Sequence, residues 1–563
     1  MPINTLLLLL ACAVATAMRA EASPFPRLFG GAPMREALQS RLSALEAGGT
    51  VKAGGAKLTR NRELAAFYAY RKGEAGWFTN GRPSRAAWQL LDAVAKSPLE
   101  GLDADAYHAR TLDTLLRRFN RGGFWRMRGD PQAAASLDLV LTDAALRLAR
   151  HLLYGRVRQK LPQDAWHVGQ EKVDLPAWLS AALDAKRDLR NVLQELLPAD
   201  PGYGVMKYWL LEYRRIEAAG GWPKVPQGPA LGPGAKGPRV VALCGRLAAE
   251  GILKQGACGE DWSPTLGEAV RRYQAVHGME PTGTAAEKTL KELNLPIGER
   301  IDAIELNLDC WRWLPRELGE RHVRVNIADY RLGAWDDGRE TVSMRVVVGR
   351  KEDSTPVFSD SIQAVQLNPS WNVPASIAKE EILPELQRDP AYLASHEMEL
   401  LSGWGSNAPV IRSDTIDWSS VDTAGFTFRV RQKNGDASAL GRIKFVLANP
   451  YNIYLHDTPS KGYFERHKRA LSHGCVRLAE PMRLAGWVLG GDPKAGREWP
   501  PDKVAGTITE GEEKIIPLSR GIPVHILYWT CFPDKEGGLQ FRPDVYGWNR
   551  RMENALARKA ASF

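Results

Sequence analysis

Apolar residues recur every three or four positions through residues 58–219, which is the spacing of amphipathic helices packed on one another. The stretches 86–94 and 137–146 show this spacing most clearly. Since no cluster of catalytic residue types stands in this region, we expect a helical scaffold domain. Glycine and proline make up most of residues 220–238, where regular structure cannot persist, so this stretch is predicted to be a linker between domains.

Three short helical patterns follow the linker, within residues 239–296. The spacing predicts one helix near 243–253, a second near 266–277 and, after a turn, a third near 289–293. Three helices in about sixty residues are enough for a small independent module.

From about residue 323 the pattern changes to a period of two and to short apolar runs, both typical of β-strands. The clearest candidates are 323–327, 344–348, 426–430, 443–447 and 524–529. Helical spacing returns at about 376–401, within an insertion at about 375–425 that is longer than a turn and of the kind that acts as a lid. We predict a mainly β domain over 323–531, entered through a connecting helix at 297–322 and followed by a C-terminal segment at 532–563.

Length and composition agree with a multidomain α+β protein. The 563 residues correspond to about three to five domains. Hydrophobic residues at 44% and charged residues at 25% are near the averages for globular proteins, which excludes wholesale disorder, collagen and a polytopic membrane protein. The formal net charge of +10 favours an anionic environment such as nucleic acid, an acidic polymer or a charged envelope.

The N-terminus has the pattern of a secretory signal peptide over residues 1–22. An apolar run at 6–18 is followed by small residues, and we predict cleavage after Ala22. A single-span anchor is the alternative, but the run is shorter than the ~20 apolar residues that a bilayer core requires. Cys12 also resembles the cysteine of a short lipoprotein box. We expect an exported protein without stable membrane insertion, in which residues 23–57 form a linker.

Cleavage at that site removes one of the six cysteines, and an odd number in an oxidising compartment leaves at least one thiol free or paired with another molecule. The remaining cysteines are Cys244, Cys258, Cys310, Cys475 and Cys531. Cys244 and Cys258 lie close in sequence and are candidates for a disulfide, or else both are small buried hydrophobic residues.

The densest group of chemically capable residues lies between Tyr454 and Arg477. In an extended strand Tyr454 and His456 share one face. A thiol needs a base to become a good nucleophile, and His456 supplies one if the chain folds back to bring Cys475 beside it. Gly474 leaves the backbone uncrowded, so its neighbouring amides and the Tyr454 phenol can form an oxyanion hole. Arg477 can hold a carboxylate with its planar fork.

Each of these residues also has an ordinary structural explanation: a lone cysteine is usually buried, a strand histidine is usually structural, and a basic run is usually solvated. Their coincidence within twenty-four residues favours catalysis. A zinc site is the main rival, because five possible ligands fall here. They are His456, Asp457, His467, His473 and Cys475. The set lacks a second cysteine pair and a compact helical histidine spacing, so no metal or other cofactor is expected.

The segments Tyr454-Leu455-His456 and Ser472-His473-Gly474-Cys475-Val476-Arg477 resemble the active-site signature of L,D-transpeptidases with the YkuD fold. Further strings resemble the YcbB-like (LdtD-like) subgroup of Gram-negative periplasmic enzymes: 326–332, 347–350, 367–374 and 439–445. The three-helix module resembles the peptidoglycan-binding domain of cell-wall enzymes, or else it is a helical bundle without a ligand. The resemblance implies a YkuD-type catalytic domain with a capping insertion, located in the periplasm.

The resemblance also implies residue roles. Cys475 would be the nucleophile, His456 its base, and Tyr454 with the backbone amides of Gly474 and Cys475 the oxyanion donors. Residues implied to contact substrate are Trp371, Asn372, His473 and Arg477, with His473 in a supporting hydrogen-bond role.

The implied reaction is formation of 3-3 cross-links in peptidoglycan. Cys475 would attack the carbonyl of the third residue of a tetrapeptide stem, expel D-alanine and pass the acyl group to the amine of a second stem. Water as acceptor would give an L,D-carboxypeptidase, and a free D-amino acid would give exchange. The expected partners are donor and acceptor stems and other wall-synthesis enzymes, not nucleic acid. A non-catalytic wall-anchoring protein is the alternative of a different class.

Overall fold

A computed structural model of the chain describes residues 32–46, 52–58, 60–121, 130–157, 166–167, 172–257, 259–403, 405 and 407–560. The predicted signal peptide and Cys258 lie outside these residues. The described residues fall into two compact units. The first comprises those up to 94 together with 105–147 and 174–190, and the second comprises 95–104, 148–173 and those from 191 onward.

The N-terminal region is mainly helical. Its elements are α1 Ala32–Glu46, β1 Lys52–Ala53, β2 Ala56–Lys57, α2 Asn61–Tyr70, β3 Phe78–Thr79, β4 Arg82–Pro83, α3 Arg85–Lys96, α4 Ala109–Arg121, α5 Pro131–Tyr154, β5 Trp166–His167, α6 Leu175–Asp184, α7 Leu189–Gln194 and α8 Pro201–Ala218. The helical patterns at 86–94 and 137–146 fall inside α3 and α5, which confirms those two predictions. The predicted linker 23–57 instead contains α1 and a β1–β2 hairpin, and Leu38 of α1 is fully buried.

The first unit holds a polar network in its interior. Tyr68 Oη donates to Asp138 Oδ1 at 2.7 Å, and the Trp77 indole donates to Thr142 Oγ1 at 2.9 Å. Burial raises the pKa of Asp138. Since these groups satisfy one another, the network stabilises the helical packing.

The next elements are α9 Pro238–Ala249, α10 Pro264–Val276, α11 Glu287–Leu293 and α12 Ile297–Trp311. The first three enclose their own apolar cluster, which includes Leu243, Val270 and Leu290. Cys244 on α9 is disulfide-bonded. The predicted connecting helix 297–322 ends early, at Trp311, and the chain continues through Pro315 without helix up to the next strand. A proline disfavours helix in the residue before it, which is consistent with that ending.

The remaining elements form the β-rich domain. They are β6 Arg321–Asn326, β7 Arg331–Asp336, β8 Arg339–Gly349, β9 Val357–Leu367, β10 Trp371–Asn372, α13 Ala375–Ile377, α14 Leu383–Arg388, α15 Tyr392–Ser395, β11 Met398–Leu401, β12 Val410–Ile411, β13 Arg429–Gln432, β14 Ile443–Leu447, β15 Leu455–His456, β16 Ala470–Ser472, β17 Val476–Leu478, α16 Pro481–Gly490, α17 Ala495–Glu498, α18 Pro501–Glu510, β18 Lys514–Leu527, β19 Cys531–Pro533, β20 Leu539–Phe541 and α19 Trp548–Ala560. A π-helical turn, Ala378–Ile382, joins α13 to α14.

The main sheet has the strand order β14-β15-β17-β8-β7-β6-β18-β9-β5, and β14 also pairs with β9. The sheet therefore closes on itself around a core that includes Val325, Val346 and Ile526. In the described ranges no helix combines the length and the apolar character needed to cross a bilayer.

The insertion is more than the helical excursion that the pattern predicts. Its strands form a separate sheet, β10-β13-β11-β12, with an apolar cluster that includes Leu400, Trp418 and Val430. The strand predicted at 426–430 appears as β13 at 429–432, and it pairs with β10 and β11 rather than with the main sheet. The strands of the insertion pair with one another, and not with the main sheet, because they carry apolar side chains that pack in their own buried cluster.

The described part of the C-terminal segment 532–563 completes the core of the β-rich domain. Phe541, Tyr546, Trp548 and Met552 are buried in the same cluster as the main sheet. The domain therefore extends beyond residue 531, where the alternating pattern ends.

Candidate active site

Three neighbouring strands of the main sheet bring polar side chains onto one face. Lys444 of β14 is in register with His456 of β15, which is in register with Arg477 of β17. Residues in register across a sheet, and residues two apart along a strand, share a face. Tyr454 and Cys475, which directly precede β15 and β17, therefore lie beside His456 and Arg477. We call these five residues the polar face.

The opposite side of the same strands belongs to the core. Leu455 and Val476 are fully buried there, and the Val476 N–H donates to the Tyr454 carbonyl at 3.1 Å. Because side chains alternate along these two paired strands, the polar residues lie on one side of the sheet and the apolar residues pack into the core on the other.

Cys475 is only partly buried, unlike Cys310 and Cys531, which are buried in the core. Its Sγ lies 3.7 Å from the Asn452 carbonyl oxygen. Burial raises the pKa of the Cys475 thiol, while hydrogen bonds from Tyr454 and the positive charges of Lys444 and Arg477 oppose the rise. The thiol is therefore protonated at neutral pH in the resting protein.

His456 is buried, and its surroundings keep the imidazole neutral. Burial, together with the positive charge of Arg477, lowers the pKa of His456 to about 3, and Lys444 acts in the same direction. Backbone groups of Asp457 and Leu440 act in the opposite direction. A neutral imidazole can accept a proton, so the side chain is in the form that a general base requires.

Tyr454 stays a hydrogen-bond donor. Burial and the neighbouring Cys475 raise the pKa of its phenol, whereas Trp371 and Arg477 oppose the rise. Because the Trp371 side chain acts directly on the Tyr454 phenol, Trp371 of β10 lies beside the polar face.

Lys444 is a site residue that the sequence analysis did not assign. Its Nζ lies 4.3 Å from the centre of the Tyr454 ring, and burial lowers the pKa of the amine. Among the described residues neither Lys444 nor Arg477 forms an ion pair with a carboxylate, although the charge of Glu513 raises the pKa of Lys444 against the effect of burial. The sequence feature that could have identified Lys444 is its position as the only charged residue in the otherwise apolar strand 443–447.

The backbone amides of the Cys475 loop have different partners. The Gly474 N–H donates to Ser472 Oγ at 3.2 Å, and Ser472 Oγ donates to the Cys475 carbonyl at 2.6 Å. Within the described part of the chain the Cys475 N–H has no acceptor. The resemblance implies two backbone amides as oxyanion donors. Of these, the Gly474 N–H is already hydrogen-bonded to Ser472, whereas the Cys475 N–H is available to a substrate oxygen.

Two predicted substrate contacts are engaged by the insertion. His473 Nε2 lies 2.5 Å from Glu381 Oε1 in the π-helical turn, and Arg350 Nη2 lies 3.8 Å from the same oxygen. Asn372 Oδ1 accepts hydrogen bonds from Arg429 of β13 at 2.6 and 2.9 Å. These contacts tie the insertion to the Cys475 loop and to its own sheet.

The possible zinc ligands point to separate partners. His467 Nε2 lies 2.8 Å from the Gly278 carbonyl of the three-helix module, and Asp457 pairs with Lys461. The described residues contain no group of three or more histidine, cysteine, aspartate or glutamate side chains placed to share a metal ion.

Comparison with known families assigns two parts of the chain. Residues 62–210 match the family model described as a scaffold domain, and residues 320–504 match the YkuD model, the L,D-transpeptidase catalytic domain. The second range contains the whole polar face. The predicted helical scaffold and YkuD domain are thereby confirmed, whereas the YcbB-like subgroup and the peptidoglycan-binding role of the three-helix module stay predictions.

Individual relatives overlap with only part of the chain. A protein of Haemophilus influenzae named "Putative L,D-transpeptidase" is 36% identical over 233 residues, which are 41% of this chain and 45% of the relative. The chain thus spans about half the length of this curated relative.

Two solved structures are also similar. An L,D-transpeptidase from Mycobacterium smegmatis is 13% identical over 37% of this chain and 58% of its own, with a TM-score of 0.17. An L,D-transpeptidase from Xylanimonas cellulosilytica is 14% identical over 54% of this chain and 98% of its own, with a TM-score of 0.18. On the family matches, the chain carries an L,D-transpeptidase catalytic domain of the YkuD family at residues 320–504, together with a helical scaffold domain.

Proposed function

We propose that the protein is an L,D-transpeptidase that forms 3-3 cross-links between peptidoglycan stems through an acyl-enzyme on Cys475. The observation that carries the proposal is the polar face. It puts an accessible thiol, a neutral imidazole and a phenol donor on adjacent strands of an L,D-transpeptidase catalytic domain.

In the first step the thiol loses its proton as it attacks. Cys475 Sγ forms a bond to the carbonyl carbon of the third residue of a tetrapeptide stem, while His456 accepts the thiol proton. In the resting protein the Cys475 thiol is protonated and the His456 imidazole is neutral. Proton transfer therefore accompanies the attack of the sulfur and does not precede it.

The negative charge then lies on the former carbonyl oxygen. The Cys475 N–H and the Tyr454 phenol are the donors placed to receive it, and each such donor contributes about two to three powers of ten in rate. When the intermediate collapses, the C–N bond to D-alanine breaks and His456 returns its proton to the leaving amine. A thioester on Cys475 remains.

In the second step the amine of another stem attacks the thioester. The new amide forms, the C–S bond breaks, and the proton of the attacking amine returns to the sulfur through His456. Water or a free D-amino acid attacks the same thioester in the two alternative reactions. Lys444 and Arg477, which form no ion pair with a carboxylate among the described residues, favour a donor that ends in a carboxylate.

The finer assignments belong to the same proposal. Membership of the YcbB-like subgroup, peptidoglycan binding by the three-helix module and a periplasmic location rest on the sequence strings and on the signal-peptide pattern. Binding of intact sacculi by the Cys475→Ala protein tests the module separately from the chemistry. Retention on sacculi supports it, and loss of every trace of retention contradicts it.

The catalytic proposal is tested with a disaccharide-tetrapeptide substrate and mass spectrometry. Wild-type protein should release D-alanine and yield a cross-linked dimer, and a trapped thioester should map to the peptide that contains Cys475. Cys475→Ala should abolish all three signals. Lys468→Ala, an exposed change just before β16, is the matched control and should keep them. D-alanine release by Cys475→Ala at the wild-type rate would show that the nucleophile lies elsewhere.

A further inference from the structure

Two buried hydroxyl groups lie behind the Cys475 loop, outside the polar face. Thr355 is in the loop between β8 and β9, and Tyr546 is in the C-terminal segment just before α19. Their exposed fractions are 0% and 2%. Neither side chain is accessible to a substrate, so any role that they have is exerted through other residues.

The two hydroxyls form a chain of hydrogen bonds that ends on Gly474. Thr355 Oγ1 donates to the Gly474 carbonyl at 2.6 Å and accepts from the Gly349 N–H at 2.9 Å. Tyr546 Oη donates to the Gly349 carbonyl at 2.6 Å and accepts from the Thr355 N–H at 3.3 Å. A hydroxyl has one proton, and since the Gly349 N–H can only donate, the Thr355 proton goes to Gly474.

The Gly474 carbonyl and the Cys475 N–H belong to one planar peptide group, in which they point in opposite directions. Fixing the carbonyl oxygen therefore fixes the direction of the Cys475 N–H. Glycine imposes little preference of its own, and Gly474 has φ +110°, a conformation that other residues rarely adopt. The Thr355 hydroxyl is the side-chain donor that holds the carbonyl of this peptide.

The backbone is tightly packed where the end of β8 meets the Cys475 loop. Gly349, at the end of β8, packs so closely that a Cβ there would lie 2.1 Å from the Asp353 carbonyl and 3.0 Å from Gly474 Cα. A Gly474 carbonyl without its donor would be a buried unsatisfied acceptor, which favours rotation of the peptide.

We propose that Thr355, held in place by Tyr546, is a positioning residue that aims the Cys475 backbone N–H at the oxyanion formed during acyl transfer. The inference rests on the proposed function, because it supplies the orientation of one of its oxyanion donors. It also gives the C-terminal segment a part in the reaction, although Tyr546 lies outside residues 320–504.

The test compares Thr355→Val, which keeps the side-chain shape without the hydroxyl, with Thr355→Ser, which keeps the hydroxyl. Acylation is followed as nitrophenol release from p-nitrophenyl acetate and as D-alanine release from the disaccharide-tetrapeptide. Thiol reactivity is followed by alkylation with iodoacetamide, a displacement at carbon that develops no oxyanion. Thr355→Val should lower the acylation rate about 100-fold with KM and alkylation little changed, and Thr355→Ser should recover to within about fivefold of wild type.

Tyr546→Phe provides a second route if Thr355→Val does not fold. It should lower acylation about tenfold with the same unchanged alkylation rate. Acylation by either variant within threefold of wild type overturns the inference, and so does an equal loss of acylation and alkylation, which a general structural defect would produce. Because p-nitrophenyl acetate is not a peptidoglycan fragment, nitrophenol release tests the inference even if the wild-type protein releases no D-alanine, a result that would defeat only the proposed function.

Discussion

Two buried histidines of the same unit lie in opposite electrostatic settings. His277, in the three-helix module, is 2% exposed, and His456, on the polar face, is 4% exposed. His277 lies 3.1 Å from Glu250 and 3.6 Å from Glu292, whereas His456 is flanked by two cations, Lys444 and Arg477.

The surroundings of His277 are balanced in charge. Arg246 pairs with Glu250 at 2.6 Å and Arg300 pairs with Glu292 at 2.7 Å, while the imidazole stacks on Phe541 with ring centres 5.3 Å apart. Burial would raise the pKa values of the two carboxyl groups, but His277 and the arginines outweigh it and bring the pKa of Glu292 to about 2. Each charge meets an opposite charge, which is typical of a structural cluster.

On the polar face no described carboxylate forms an ion pair with Lys444 or Arg477, and Glu513 only partly offsets the positive charge by raising the pKa of Lys444. Half-buried cations without an ion-pair partner cost folding free energy and are expected where a ligand supplies the opposite charge. The contrast separates a histidine that stabilises the fold from one that is available for chemistry, although both are buried to the same degree.

Replacing each of the two histidines by glutamine is the strongest test of this difference in role. His456→Gln should lower D-alanine release about 1000-fold, because a general base typically contributes two to four powers of ten. Its unfolding midpoint in urea should stay close to that of wild type. Equal D-alanine release by the variant and the wild type would remove His456 from the mechanism.

The matched variant, His277→Gln, should show the converse. The variant loses the hydrogen bond between the imidazole and the buried Glu250 carboxylate, and losing a hydrogen bond to a charged group costs about 1.5–3 kcal/mol. We expect that decrease in the free energy of unfolding by urea titration, with D-alanine release per folded molecule within about threefold of wild type. A stable but inactive His277→Gln protein would contradict the division of roles.

Acidification should destabilise both regions, but over different pH ranges. The pKa of His456 is about 3 in the folded protein and about 6.5 in the unfolded chain, so the unfolded chain binds the proton more tightly. The contribution of His456 to the free energy of unfolding is therefore lost as pH falls below about 6.5. The contribution of Glu292, whose folded pKa is about 2, is lost only as pH falls from about 4.3. His322 and His525, with pKa values lowered to about 4, act in the same sense as His456.

Urea titrations of wild type, His456→Gln and Glu292→Gln from pH 8 to pH 4 separate these ranges. Each histidine adds up to about 1.4 kcal/mol per pH unit below its unfolded pKa. His456→Gln should flatten the curve between pH 6 and 5, and Glu292→Gln should flatten it only below about pH 4.5. An unchanged slope in His456→Gln would show that this imidazole is protonated in the folded state.

The smallest effect is expected from Lys444→Met, which removes a cation that has no ion-pair partner among the described residues and keeps the length of the side chain. Because Lys444 lowers the pKa of the Cys475 thiol, its loss should shift the pH profile of iodoacetamide alkylation upward and slow D-alanine release about tenfold. The free energy of unfolding should not fall. Lys468→Met is the control, and identical profiles for the two variants would remove Lys444 from the site.

The elements with strong local patterns were predictable. Strand β14 appears at the predicted positions 443–447, and helices α3 and α5 contain the stretches with the clearest helical spacing. The sheet of the insertion, the early end of α12 and the burial of the C-terminal segment were not predictable, because each depends on which distant apolar surface is available.

The active site divides in the same way. The sequence by itself determined the reactive residue types and, through the period of two, the face that Tyr454 shares with His456. Only the tertiary structure decided that Lys444 lies beside them without an ion-pair partner among the described residues, and that Thr355 hydrogen-bonds Gly474 from 119 residues away. The physical reason is range: alternation along a strand is a property of neighbouring residues, whereas charge balance and the direction of a peptide group are set by atoms that only folding brings together.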